Sequence, residues 1–323
     1  MLLEEIYKYY GPYLKKVDNI IYQCCKNRFP LIADIVQYVI TSGGKRLRPL
    51  LTILAADMCG NLNETALKLA ASVELIHTAT LLHDDVIDHS ELRRNKPTVN
   101  YNWGNKTSIL MGDFLFSQAF ELMVTSKSFQ VLELLSSTSA IISEGEIIQL
   151  NSLGDIEIGL DTYYTVINAK TAALFAASTK IASLITESNE GLDEHLYQIG
   201  KNFGMSYQIT DDFLDYTRST NSGKNPGDDF YEGKVTLPII LLKTQADKED
   251  SKLITAMWNN KNFDQENFNF INSLITKYDI TNLINNITCN YLDKAYGHLK
   301  TFPDNTARKS FATLIDFCIK RDF

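Results

Sequence analysis

Two aspartate-rich stretches stand out in this 323-residue chain, His83-Asp84-Asp85-Val86-Ile87-Asp88 and Thr210-Asp211-Asp212-Phe213-Leu214-Asp215. Each closes a long apolar run of helical period. On a helix, residues four apart share a face, so Asp84 and Asp88 point together, as do Asp211 and Asp215. Two such helices facing each other would gather six carboxylates at one cavity mouth. Like charges about 5 Å apart cost roughly 3 kcal/mol at an effective dielectric of 20 and under about 1 kcal/mol in water. A convergence of this kind calls for cations. Hard oxygen donors in this number suit Mg²⁺, which keeps several waters and binds through a few carboxylates plus substrate phosphates. The plainer alternative is a pair of unrelated, solvated acidic helix ends, and the basic residues that follow both clusters weigh against it.

Those basic residues have the chemistry of anion binding. In Ser42-Gly43-Gly44-Lys45-Arg46-Leu47-Arg48-Pro49, the glycines permit a tight turn and Pro49 suits the first turn of a helix. Backbone amides and three cations at a helix start form an anion cradle, although a basic loop that only caps a helix reads the same way. Arg93 and Arg94 lie nine and ten residues beyond Asp84, and guanidinium forks match phosphate oxygens. His77 shares a helix face with Val73, Thr80, Asp84 and Asp88. It is either a packed structural histidine or a donor, neutral or cationic, to a phosphate. Lys170 interrupts a small, apolar face around Asn168–Ala173, where it either snorkels outward or meets a buried anion. Gly200, Gly204 and Gln208 step toward Asp211 at i+4 spacing and allow close helix packing. Lys224 and Lys234 flank a loop rich in Gly, Pro and Asn, able to close over phosphates or simply to stay solvated.

The elements that must position these groups read as helices. Leu2 to about Asn27 is helical with a break or bend near Gly11-Pro12, and Leu31–Thr41 follows. Asn63 caps a long helix running to about His89. Thr107–Thr125 is apolar nearly all round, which predicts burial. Phe129–Leu150, Thr162–Thr186 and Asp193–Thr217 continue the pattern. Another helix starts at Val235-Thr236-Leu237-Pro238, and the chain is helical from Ala246 onward. No strong strand alternation and no Rossmann or Walker loop occurs. The expected class is all-α: one large helical bundle, residues 1–323, around a deep central cavity. Asp84 and Asp211 lie 211 − 84 = 127 residues apart. That is too far for a short repeat, and it fits two helices meeting across a bundle core.

Bulk properties narrow the function. A net charge of −8 argues against general nucleic-acid binding. Five cysteines without a C-x-x-C pair indicate neither a disulfide framework nor a zinc site, and imply reduced, cytoplasmic thiols. The N-terminal Met1–Glu5 lacks signal-peptide character, and no apolar run approaches the roughly 18 residues of a membrane span.

Together these motifs resemble the trans-isoprenyl diphosphate synthase (polyprenyl synthetase) family. The matches are Gly43–Pro49, Asp84–Asp88 with Arg93-Arg94, Lys170-Thr171, Tyr207-Gln208 with Asp211–Asp215, and Gly223-Lys224 through Gly233-Lys234-Val235-Thr236-Leu237-Pro238. Asn95 departs from the glycine common after the arginine pair, and Pro226 stiffens the lid loop. The resemblance implies an isoprenoid synthase fold, a homodimer and a Mg²⁺-dependent prenyltransferase using more than one ion. Asp84, Asp88 and Asp211 would hold the metal, with Asp85, Asp212 and Asp215 in or near its coordination sphere. Arg93, Lys170, Lys224 and Lys234 would face the allylic diphosphate, and Thr171 and Gln208 the allylic cation. Lys45, Arg48, His77 and Arg94 would take isopentenyl diphosphate. Ala79 and Thr80 are small where short-chain members carry aromatic rings, which implies a long product of the octaprenyl kind for a quinone such as ubiquinone. A shorter-chain (farnesyl or geranylgeranyl) synthase, a non-catalytic subunit of a heteromeric synthase and a terpene cyclase are the alternatives. The intact acidic and basic clusters disfavour the last two.

Overall fold

The computed structural model describes residues 2–26, 28–186, 191–217 and 226–319. In chain order the helices are α1 (Leu3–Cys25), α2 (Pro30–Thr41), α3 (Leu47–Met58) and α4 (Glu64–Ile87). A two-residue pair of strands follows, β1 (Leu92–Arg93) and β2 (Lys96–Pro97), then α5 (Val99–Trp103), α6 (Asn105–Thr125) and α7 (Phe129–Asn151). Next come α8 (Leu160–Ile167), a π-helical turn (Asn168–Ala172), α9 (Ala173–Leu184) and α10 (Leu192–Thr217). The remainder is α11 (Asp228–Tyr231), α12 (Leu237–Gln245), α13 (Lys248–Asn259), α14 (Gln265–Lys277), α15 (Ile280–Leu299) and α16 (Thr306–Ile319). The all-α expectation holds, with the β1–β2 hairpin the sole strand pairing among the described residues.

The chain forms two compact units. One comprises Met1–Ser139, Leu174–Gly200 and His298–Leu314, the other Ala140–Ala173, Lys201–Gly297 and Ile315–Phe323. In the first unit, α1 buries Ile6, Tyr10, Leu14, Val17, Ile21 and Cys25, a stripe stepping by three or four residues. Of the break or bend expected at Gly11-Pro12, the break does not occur: Pro12 sits inside a continuous α1. The stripe buries residues on both sides of Pro12, so packing offsets its lost N–H.

Helix α4 is the axis of this unit, and Asn63 caps it by accepting from the Ala66 amide at 3.0 Å. Helix α6 lies close against it because the contact positions are small. The Ser72 hydroxyl donates to the Ala119 carbonyl at 3.1 Å and that of Ser108 to the Leu82 carbonyl at 2.9 Å. At Gly112 any Cβ would strike the His83 ring. The expected all-round burial of α6 is corrected. Its inner face is buried through Met111, Leu115, Ala119 and Leu122, while Ile109, Leu110, Phe120 and Val124 are exposed.

In the second unit, α8, the end of α10 and α12 to α15 share one core that includes Tyr163, Ile209, Phe213, Leu237, Ile254 and Ile271. Rings of Phe230, Trp258, Phe263 and Phe268 pack at centroid separations between 5.4 and 5.6 Å. The Trp258 indole donates to the Gly233 carbonyl at 3.1 Å. These contacts pin residues 227–235 onto α13 and α14.

Candidate active site

At the end of α4 the three aspartates do not behave alike. Asp85 is buried, Asp84 is half-buried and Asp88 exposed. Asp85 lies about 100° around the helix from Asp84, which turns it inward. There Arg93 grips one of its oxygens through Nε and Nη2, both at 2.8 Å. Burial raises the Asp85 pKa, and the arginine partly offsets this. Asp84 and Asp88 stay on the outward face. They stand at the negative end of the helix dipole, with no basic residue in the last turn. That placement disfavours anions and attracts cations.

The hairpin that supplies Arg93 turns through Arg94 and Asn95, both at positive φ, 54° and 59°. A two-residue hairpin of type I′ requires such angles, and asparagine tolerates them well. Asn95 therefore suits the turn in place of glycine. The Arg94 guanidinium donates to the Gly43 carbonyl. A Cβ at Gly44 would come within 2.5 Å of that guanidinium. Gly44 is needed for this close approach. Of the three cations in the loop, Arg46 is withdrawn. Its left-handed backbone (φ 47°) turns it inward to Glu74 at 2.7 Å and Asp18 at 3.1 Å. Lys45 remains exposed, and Arg48 lies over the Phe175 ring, 4.3 Å from its centroid.

The Arg48 guanidinium stands 3.2 Å from His77 Nε2. Arginine only donates, so His77 accepts there and is neutral. Burial and the neighbouring arginines push its pKa well below the usual histidine value. The cationic option for His77 is thereby corrected. A pocket joins His77, Leu81, Asp85, Arg93 and Arg94 with Tyr38 of α2. Of the proposed tunnel residues, Ala79 is fully buried. Thr80 is half-buried, its hydroxyl bonded to the His77 carbonyl at 2.8 Å.

The second acidic end, on α10, repeats the arrangement with different partners. Asp212 is buried and accepts from the Tyr163 hydroxyl and the Gln208 amide, each at 2.7 Å. Gln208 in turn accepts from the Thr171 hydroxyl at 2.7 Å. Burial pushes the Asp212 pKa up to about 7, against the pull of these hydrogen bonds. Asp211 and Asp215 are only half-buried. Lys170 pairs with Glu146 at 2.7 Å, both side chains largely covered. The π-helical turn that carries Lys170 and Thr171 breaks the single helix expected over Thr162–Thr186. Such turns recur at functional sites.

Asp229 is a site residue that the motif reading missed. Its amide donates to Asp215 Oδ2 at 2.9 Å. Its own carboxyl is held well above the usual range by burial and by the charges of Asp212 and Asp215. The signal was available as a carboxylate between the lid glycines. Lys234 pairs with Glu232 at 2.5 Å and is mostly covered, and Lys224 lies outside the described residues. No three His, Cys, Asp or Glu side chains among the described residues are grouped to hold an ion by themselves. The outward donors are all carboxylate oxygens, chemistry that fits Mg²⁺ completed by waters and phosphate oxygens.

The sequence profile of the polyprenyl synthetase family matches residues 29–275. The octaprenyl diphosphate synthase of Haemophilus influenzae is 32% identical over 324 residues, spanning 100% of this chain and 98% of that protein. A decaprenyl diphosphate synthase from Rhodobacter capsulatus superposes with a TM-score of 0.94 at 36% identity, covering 99% of both chains. A Caulobacter crescentus polyprenyl synthase, crystallised with calcium and isoprenyl diphosphate, gives 0.93 at 37% identity over 99% of this chain and 98% of that one.

Proposed function

This chain belongs to the polyprenyl synthetase family, and from that premise we propose how it works as a long-chain polyprenyl diphosphate synthase. The substrates are an allylic diphosphate, farnesyl or similar, and isopentenyl diphosphate. Asp84, Asp88, Asp211 and Asp215 would hold the metal. Asp85 and Asp212, already gripped by protein donors, set the register of their neighbours. Bound Mg²⁺ would supply Lewis-acid stabilisation of the departing pyrophosphate.

The chain's own groups do the rest. Lys170, Lys224 and Lys234 add positive charge where the leaving group becomes anionic. The C1–O bond breaks with its electron pair going to pyrophosphate. The Thr171 and Gln208 oxygens face the cation left behind. Lys45, Arg48 and Arg94, with neutral His77, orient isopentenyl diphosphate. Its double bond forms the new C–C bond, and the released pyrophosphate takes the proton lost next. Small Ala79 and Thr80 leave room for a growing tail, and the product is octaprenyl diphosphate, a precursor of a quinone side chain such as that of ubiquinone.

The observation that carries the reading is the pair of helices ending in outward aspartates with no basic residue in the last turn. The exposed Ile109, Leu110, Phe120 and Val124 of α6, with Phe129 opening α7, support a homodimer. No helix among the described residues is long and apolar enough to cross a membrane, and a cytoplasmic location agrees with that. The test is incubation of the purified chain with isopentenyl diphosphate, farnesyl diphosphate and Mg²⁺, the product being sized by chromatography. The eight-unit chain is expected. Arrest after farnesyl or geranylgeranyl diphosphate would refute the long-chain assignment, and absence of elongation would refute the whole reading.

A further inference from the structure

Tyr163 carries no charge at neutral pH and belongs to none of the motifs, yet its buried hydroxyl is spent on Asp212. The π-helical turn explains how it gets there. In a regular helix, Tyr163 and Thr171, eight residues apart, would diverge by about 80°. A π turn takes in one extra residue with little added rotation, so the two come within roughly 20° of one face. Both then meet α10, where Gln208 and Asp212 share a face at i, i+4 spacing. The result is one continuous chain: Tyr163 to Asp212, Gln208 to Asp212, Thr171 to Gln208, every link at 2.7 Å.

We propose that Tyr163 is a positioning residue for prenyl transfer, acting through Asp212 and Gln208 to fix the direction of the Thr171 hydroxyl. The inference rests on the synthase reading. The polarity follows from the donor inventory. The Gln208 NH₂ donates to Asp212 Oδ1, beside the oxygen, Oδ2, that takes the Tyr163 proton. The Gln208 carbonyl oxygen then faces Thr171, whose hydroxyl must donate to it. The Thr171 proton is committed to Gln208, and its remaining lone pair is what a developing allylic cation would meet. Without the Tyr163 hydroxyl, Asp212 keeps one protein donor fewer and swings from its place. Gln208 can then reverse its amide, and the Thr171 proton turns toward the cation instead.

The test is a kinetic cycle of Tyr163→Phe, Thr171→Val and the double variant. Phe keeps the ring in the core and removes only the hydroxyl. The expected loss in kcat for Tyr163→Phe is on the order of tenfold, below the 10²–10³ seen when a directly stabilising donor is removed. KM for both diphosphates should stay within about twofold, since uniform binding is untouched. Tyr163 and Thr171 share no direct bond, so independent effects would multiply. A relay predicts instead that the double variant is no slower than Thr171→Val alone. Multiplying losses, or a change confined to KM, would overturn the inference while leaving the synthase reading in place. Inactivity of the wild-type chain would overturn both. Thermal melting checks folding, and should Tyr163→Phe fail to fold, Tyr163→Met combined with Thr171→Val completes the same cycle with the same two outcomes.

Discussion

The two acidic helix ends share a motif but solve their electrostatics differently. On α4 the inward aspartate, Asp85, is neutralised on site by the Arg93 guanidinium. On α10 the inward aspartate, Asp212, accepts instead from the neutral donors Tyr163 and Gln208. The first end is charge-balanced inside and acidic outside. At the second, burial pushes Asp212 up to about 7 against the pull of its neutral donors, and Lys234 reaches Asp229 at 4.0 Å. One sequence pattern therefore yields a self-compensated end and an end that depends more heavily on external cations.

The sharpest break in this comparison comes from the outward aspartates. Asp84→Ala should lower kcat by about 10³-fold or more, as expected when a metal-clamping group is lost, with circular dichroism unchanged. Near-normal turnover at ordinary Mg²⁺ would remove Asp84 from the metal site. Next in size is product length, which the account places on α4 alone. Ala79→Tyr should shorten the dominant product by several isoprene units, seen by chromatography. An unchanged eight-unit product would mean that the tail runs elsewhere.

Stability then separates the inward aspartates. Arg93→Met strands a buried carboxylate, and denaturant unfolding should register about 3 kcal/mol. That is the lower end for a broken buried pair, because Arg93 is itself partly exposed. Tyr163→Phe removes a neutral donor and should cost less, about 1.5 kcal/mol. Equal losses at the two positions would erase the distinction drawn here.

The sequence made the α4 and α10 clusters legible because helical period and i, i+4 spacing act locally. The sequence reading put all six carboxylates at one cavity mouth and did not foresee that Asp85 and Asp212 turn inward to protein donors. Arg46 illustrates the limit. Its removal from the anion cradle depends on a left-handed backbone and on Glu74, 28 residues away. Helix α6 looked wholly buried because apolarity does not distinguish a core face from an exposed one. The π turn has no periodic signature, since one extra residue in a small, apolar run leaves the pattern intact. Arg94 and Asn95 show the reverse case. Asn95 stands where glycine is common in the family, and the left-handed turn of the hairpin accommodates it.

The most direct measurement is the rise in melting temperature that Mg²⁺ with inorganic pyrophosphate confers on the wild type, Asp84→Ala and Asp211→Ala. With ligand at a hundred times its Kd the wild type should gain about 2.7 kcal/mol of stability. The account predicts that each variant loses most of that gain, because both aspartates belong to the proposed metal set. A full shift retained in either variant would contradict it.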